Sequence, residues 1–243
     1  MIDGLHKFFL SFVSLIFSTT IFSAQYNYVS IEGLIEQRIG EGVVTVLYEK
    51  LGHTVTITAL SGKEAEVAAT SGKKDGEIMR IWAYGENNLT TKRVPTPYYS
   101  LETMGFVKGT SLQIESKEEL EHYRIGLIPG VKHTDNITRE INESKITNFS
   151  STKEMMLALD ANKIDIALTN TVDGYIVISD LGLKGIEKFK KPLAVLDLYH
   201  YVHESKSDII PEINNLIIEM NKTNELSELI QKLETKVIYK IDI

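Results

Sequence analysis

Residues 54–83 have the pattern of a strand, a helix and a second strand, in this order. Of all the features of the sequence, this succession of elements constrains the fold most. Thr54 to Leu60 alternates and is rich in β-branched residues, as a half-buried strand is. Ser61 can cap a helix that continues through Ala69, and Glu77 to Ala83 has the pattern of the second strand. Parallel strands joined by a helix require a sheet that is covered by helices. The chain is therefore predicted to be an α/β protein with doubly wound, mainly parallel sheets.

The same order of elements returns further along the chain. Strands are predicted where short apolar runs lie between turn residues, and helices where apolar residues recur at helical spacing. Ser151 and Glu154 form a capping box at the start of one helix. These elements predict a second α/β lobe and a C-terminal pair of helices. The predicted strands span 123–128, 146–149, 164–169 and 193–202, and the predicted helices span 134–141, 151–162, 171–181, 211–220 and 225–233.

The composition limits the classes of partner. The 243 residues include 26 Lys and Arg against 33 Asp and Glu, which gives a formal net charge of -7. Nucleic acid and anionic lipid both require a cationic surface, so neither is expected as a partner. Cysteine is absent, which excludes disulfides, thiolate metal sites and cysteine nucleophiles. We expect a monomer that has no cofactor and no metal and is held together by packing.

Residues 1–24 have the layout of a secretory signal peptide. Lys7 precedes an uncharged apolar run from Phe8 to Ala24, which closes on small residues suited to cleavage. A membrane anchor is the alternative, because the uncharged stretch runs on to Ile31 and reaches the roughly 20 residues that a span needs. Export without any cysteine favours a Gram-negative periplasm.

Six short motifs follow one another along nearly the whole mature chain. In this order they resemble the family 3 periplasmic solute-binding proteins, the receptors of ABC importers for amino acids and similar polar solutes. The resemblance implies a non-enzymatic receptor that captures a small polar solute and passes it to an ABC permease or a membrane sensor. The motifs are Tyr48-Glu-Lys-Leu-Gly52, Ser71-Gly-Lys-Lys-Asp-Gly-Glu77 leading into Arg80, Arg93-Val-Pro-Thr-Pro-Tyr98, Ile125-Gly-Leu-Ile-Pro-Gly130, Asn162-Lys-Ile-Asp-Ile-Ala-Leu168 and Leu198-Tyr-His-Tyr201.

The resemblance also implies a two-lobed periplasmic-binding-protein-like fold with two hinge crossings. The crossings are expected at Met104 to Lys108 and at Val195 to Tyr201. Lobe one then comprises residues 25–106 and 199–243, and lobe two comprises residues 107–198. The solute is expected in the cleft between the lobes.

Two features depart from the family pattern. Apolar residues at helical spacing from Ile31 to Leu51 predict that the first helix begins at Ile31, which leaves only Gln25 to Ser30 for the strand and loop that open the family fold. We therefore expect the first strand to be missing and one wall of the pocket to be absent or rebuilt. Asn170 stands where amino-acid receptors usually carry an aspartate that pairs with the ligand amine, which argues against an α-amino-acid ligand.

In lobe one the candidate ligand-binding residues are Arg80, Tyr84, Arg93 and Tyr98. The chain has only five arginines, and Arg80 and Arg93 fall near strand ends, where open α/β sheets bind ligands. A guanidinium group can grip a carboxylate with two parallel hydrogen bonds, so Arg80 predicts an anionic solute. The alternative is an ion pair of Arg80 with a nearby carboxylate, and packing is the alternative for the tyrosines. The nearby carboxylates are Asp75, Glu77 and Glu86.

In lobe two the candidates are His133, Thr134, Thr169 and Asn170. The loop from Pro129 to Thr134 ends a strand and opens a helix, which presents free backbone N–H groups to an anion. Thr134 is also a candidate N-cap of that helix. Thr169 and Asn170 end the next strand and can donate hydrogen bonds to a solute.

Catalytic signals are sparse. No nucleophile elbow, phosphate-binding loop or His-Glu-x-x-His motif occurs in the sequence. His200 and His203 are three residues apart, but a strand would send their side chains to opposite faces. A dehydratase-like enzyme on the same scaffold would have to use His133 or Glu86 for proton transfer. A ligand-free interaction module is the third alternative, and the expected loss of the first strand favours it.

Overall fold

The computed structural model describes residues 23–109, 112, 114 and 116–241. Ten strands and eight α-helices are formed by these residues, together with short 3₁₀ turns at 117–122, 143–145 and 204–209. In chain order the elements are β1 (Gln25–Ile31), α1 (Ile35–Lys50), β2 (Thr54–Leu60), α2 (Gly62–Thr70), β3 (Gly76–Ile81), α3 (Tyr84–Asn87), β4 (Thr91–Arg93), β5 (Tyr99–Lys108), β6 (Ile125–Leu127), α4 (Lys132–Thr138), β7 (Ile146–Asn148), α5 (Thr152–Asp160), β8 (Ile166–Asn170), α6 (Thr171–Leu181), β9 (Ile186–Lys188), β10 (Ala194–His203), α7 (Ile210–Lys222) and α8 (Glu225–Tyr239).

The strands form one continuous sheet with a parallel block at each end. Its order is β2-β1-β3-β10-β5-β8-β6-β7, with β4 paired to β10 and β9 paired to β5. β1 is parallel to β2 and β3, and β6 is parallel to β7 and β8. The long strands β5 and β10 run antiparallel to each other between the two blocks. The prediction of two doubly wound, mainly parallel halves is confirmed.

The two largest hydrophobic clusters among the described residues correspond to the two halves. The first core packs α1, α7 and α8 against the sheet and includes Tyr28, Leu47 and Ile213. The second core includes Phe106 and Ile166 and lies among α5, α6 and the strands of the other block. Burial of apolar area stabilises each half around its own core. The lobe boundaries at residues 106–107 and 198–199 stay predictions.

The crossing strands and α8 connect the halves. β5 and β10 pair from Tyr99 with Leu198 to Thr103 with Ala194, and β5 then leaves β10 to pair with β8. Helix α8 contacts α1 of the first half and α6 of the second half. At its end Lys240 forms an ion pair of 2.8 Å with Asp180 at the end of α6. The two halves therefore share both a strand pair and a helix.

The expectation that the first strand is missing is wrong. Gln25 to Ile31 form β1, which pairs along its whole length with β2 and lies inside the first sheet block. The helix begins only at Ile35, because Gly33 at φ +77° turns the chain between the strand and the helix. Tyr28 and Val29 are fully buried, so β1 contributes to the core as a central strand does.

Several element ends also differ from the predictions. β3 ends at Ile81 instead of Ala83, so Tyr84 lies in the short helix α3 and not on the strand. Thr134 is not the N-cap of α4; its hydroxyl donates to the carbonyl oxygen of Val131 at 2.9 Å inside the first turn. α8 continues to Tyr239, and Val237 and Ile238 in its last turn are buried in the first core.

The predicted signal peptide lies outside the described residues except for Ser23 and Ala24. In the part of the chain that the structure covers, no helix has both the length and the apolar character needed to cross a membrane.

Candidate functional site

A cavity of about 470 Å³ lies where the first half, the crossing strand β5 and the second half meet. Its walls are formed by the start of α1, the segment 96–102, the start of α6 and the last two helices. Asn170 ends β8 and caps α6, accepting a hydrogen bond from the Asp173 backbone at 2.8 Å. The carboxyl end of such a strand is where open α/β sheets bind ligands. The cavity is therefore the candidate solute site.

Three carboxylates line the cavity and come from three different elements. Glu36 lies on α1, Glu102 on β5 and Glu234 on α8. Glu102 accepts a hydrogen bond of 2.8 Å from the Thr171 hydroxyl, and Glu234 accepts one of 3.0 Å from the Tyr99 hydroxyl. These bonds fix the orientation of two of the carboxylates.

The protein environment disfavours negative charge on Glu36 and Glu234. Burial raises the pKa of Glu36, and the nearby Asp173 charge raises it further. Burial also raises the pKa of Glu234, and the Glu102 charge adds to this effect although the Tyr99 hydrogen bond opposes it. The anionic forms of Glu36 and Glu234 are thus incompletely compensated by their surroundings.

Two of the residues predicted from the sequence line this cavity. Asn170 does so from the second half and Tyr98 from the first. The ring of Tyr98 is 1% exposed, and its hydroxyl donates to the Ile78 carbonyl oxygen at 2.8 Å. Tyr98 therefore forms a fixed wall of the site.

Arg80 and Tyr84 lie together in a different place. The Arg80 guanidinium pairs with Glu77, donates to the Gly62 carbonyl oxygen at 3.1 Å and lies 4.7 Å from the Tyr84 ring centroid. The Glu77 side chain is 1% exposed, so this carboxylate depends on Arg80 for compensation. The ion pair that the sequence left as an alternative for Arg80 is present.

Arg93 belongs to an aromatic cluster beside that ion pair. Its guanidinium lies 3.0 Å from the Trp82 ring centroid and donates to the Trp82 carbonyl oxygen at 3.3 Å. The Trp82 ring also meets Tyr199 edge to face at 5.6 Å between centroids. Trp82 is 51% exposed, so the cluster reaches the surface. Neither Arg93 nor these aromatic residues line the cavity.

The remaining candidates of the second half lie around β5 and Asp173. His133 Nδ1 is 2.9 Å from the Thr103 hydroxyl, and burial lowers the pKa of this imidazole. Thr169 donates to Asp173 Oδ2 at 2.9 Å, and Thr134 is buried in the first turn of α4. None of these three residues lines the cavity.

His200 and His203 do not line the cavity. His200 is fully buried, with Nδ1 3.0 Å from the Glu77 carbonyl oxygen and Nε2 3.2 Å from the Tyr48 hydroxyl. The Tyr48 hydroxyl also shares a hydrogen bond with the Tyr28 hydroxyl. His203 instead contacts Ser205. Among the residues that the structure describes, no three His, Asp or Glu side chains are grouped as a metal site would require.

Comparison with known proteins identifies the fold. No family model and no curated protein matches the chain. A solved structure of the L-cystine solute receptor of Neisseria gonorrhoeae, unliganded and open, matches with a TM-score of 0.70 at 12% identity, over 89% of this chain and 95% of the receptor. Substrate-binding domain 2 of Lactococcus lactis GlnP, also open, matches with a TM-score of 0.66 at 16% identity, over 86% and 94%.

A histidine kinase sensor domain with similarity to periplasmic binding proteins matches as well. Its TM-score is 0.59 at 15% identity, over 87% of this chain and 95% of that domain. The three structures comprise a solute receptor, a substrate-binding domain and a sensor domain. The chain thus has the two-lobed fold of periplasmic binding proteins.

Proposed function

We propose that this protein is a periplasmic, non-enzymatic receptor that captures a small polar, amino-acid-like solute in the cavity between its halves. The observation that carries the proposal is the cavity itself, since residues of both halves form its walls around Asn170. A solute that contacts both halves can favour one arrangement of them over another. A monomer of this kind would deliver the solute to an ABC permease or signal through a membrane sensor.

Solute binding should close the two halves. The hinge is expected at Met104 to Lys108 and at Val195 to Tyr201, which lie within the strands β5 and β10. Two crossings allow rotation while each core stays intact. Small-angle scattering should show a smaller radius of gyration with saturating solute, and an unchanged radius would argue against closure.

The charge of the solute is a separate question. The sequence-based hypothesis of an anionic solute depends on Arg80, whose guanidinium is engaged by Glu77, Gly62 and Tyr84. An anion at Arg80 would have to displace a buried carboxylate that then lacks its cation, which is costly. Within this proposal, Arg80 is therefore a less favoured binding site for the solute than the cavity.

A thermal-shift screen with amino acids, organic acids, amines and short peptides tests the proposal. A solute that binds only the native state raises the melting temperature by mass action. Ser227→Trp places a large side chain in the cavity wall and should abolish the shift, whereas Gln231→Trp on the exposed side of the same helix should preserve it. If no solute raises the melting temperature, or if both variants retain the shift, the cavity is not the solute site.

A further inference from the structure

We infer that the solute carries a net positive charge, on an ammonium or guanidinium group that Glu36, Glu102 and Glu234 hold inside the cavity. The inference rests on the proposed function, because it assigns a ligand class to the same cavity. It starts from the shape and the lining of a half-open cavity of about 470 Å³, which is large enough for an amino-acid-sized molecule.

The ionisable side chains that line the cavity are all acidic. Glu36, Glu102 and Glu234 contribute three carboxylates, and the cavity walls, all within the described chain, contain no lysine, arginine or histidine. The hydrogen bonds from Thr171 and Tyr99 are made by neutral hydroxyl groups. The negative charge therefore lacks a cationic partner within the walls.

Such charge is unfavourable in a partly buried space. Carboxylates that lose water without gaining a cation are destabilised, which agrees with the raised pKa of Glu36 and of Glu234. A cation brought by the solute would supply the missing compensation, and an anionic solute would add repulsion. The site therefore selects for positive charge.

The remaining walls suit a solute with an aliphatic part. Leu101, Val172, Leu226 and Ile230 also line the cavity, alongside the hydroxyl and amide groups of Ser100 and Asn170. Apolar walls favour methylene groups over a hydrated inorganic ion. An organic cation on a short aliphatic chain matches both kinds of lining.

Titration calorimetry with L-arginine, L-lysine and agmatine, against L-citrulline and L-glutamate, tests the inference. Citrulline has nearly the shape of arginine without its side-chain charge, so this pair isolates the charge. We expect at least one of the three cations to bind, arginine to bind at least tenfold more tightly than citrulline, and glutamate not to bind.

Three variants assign the effect to the carboxylates. Glu36→Gln and Glu234→Gln should each weaken binding of the best cation about tenfold, and Gln at 234 still accepts the bond from Tyr99. Glu228→Gln removes an exposed charge from the same helix as Glu234 and should change the affinity less than twofold. Equal losses in all three variants would point to long-range electrostatics and overturn the assignment.

The outcomes separate the inference from the proposed function. If a neutral or anionic solute binds in a manner that Ser227→Trp abolishes, and cations bind no better, the cavity is the solute site and the inference is wrong. If none of these probes binds and the wider screen also yields no shift, both fail.

Discussion

Acidification should destabilise the first core through His200. Burial lowers the pKa of this fully buried imidazole from 6.5 to about 4, although the nearby backbone of Glu77 and Ile78 favours the charged form. A carbonyl oxygen can only accept, so Nδ1 carries the proton toward Glu77 and Nε2 accepts from the Tyr48 hydroxyl. A second proton would place a charge in the core without an anionic partner.

The magnitude follows from proton linkage. Between pH 6.5 and 4 the unfolded chain protonates His200 and the native state does not, so the native state binds fewer protons. The stability due to neutral His200 is complete above pH 6.5 and is lost as the pH falls toward 4. The difference between the two pKa values corresponds to about 3 kcal/mol, of which about 2 kcal/mol is already lost at pH 5.

Urea denaturation of wild type and His200→Gln at about pH 8 and pH 5 isolates this effect. Glutamine does not titrate, so the wild type should lose about 2 kcal/mol of unfolding free energy relative to the variant between the two pH values. The subtraction cancels Glu36 and Glu234, whose raised pKa values stabilise the native state as the pH falls toward 4.5.

A direct titration keeps the prediction testable if His200→Gln does not fold. The imidazole proton resonances of the wild type report the pKa of His200 in the native state. A midpoint near 6.5, or a variant whose stability falls with pH in parallel with the wild type, would refute the reasoning.

Two further substitutions test the packing and the ion pair. Arg80→Ala should cost roughly 3 to 5 kcal/mol in urea denaturation, because it leaves the buried Glu77 unpaired, and Glu77→Gln in the same chain should recover part of this loss; a loss below about 1 kcal/mol would contradict the assigned role. Gly174→Ala should lower the melting temperature, because its Cβ would lie 2.2 Å from the Phe106 ring, whereas Gly62→Ala meets nothing closer than 3.9 Å and should leave it unchanged or higher.

Local patterns were sufficient for some elements of the fold. β2 spans Thr54–Leu60 and α6 spans Thr171–Leu181 as predicted. β-branched alternation marks the strand, and the structure shows that Asn170 caps the helix. β1 was missed because the apolar residues around Ile31 continue the helical spacing of α1. The sheet pairing with β2 outweighs that local preference, and such pairing is not visible in one segment.

The site was less accessible to prediction than the fold. Asn170 follows a strand directly, so its place at the cavity could be inferred from strand order. Glu36 and Glu234 belong to opposite ends of the chain, and each alone is typical of a solvated helix face. For Arg80 the sequence offered several nearby carboxylates, and only the three-dimensional arrangement selects Glu77.

The position of α8 also limits how the halves can move. This helix packs on both α1 and α6, and Lys240 after its last turn forms an ion pair with Asp180. If one half rotates relative to the other, a helix surface must slide along α8, and interlocking side-chain ridges permit such sliding in steps. Packing on α8 would then favour a few discrete arrangements of the halves. Substitutions on α8 outside the cavity walls, at its contacts with α1 and α6, would change which arrangements are favoured without contacting the solute.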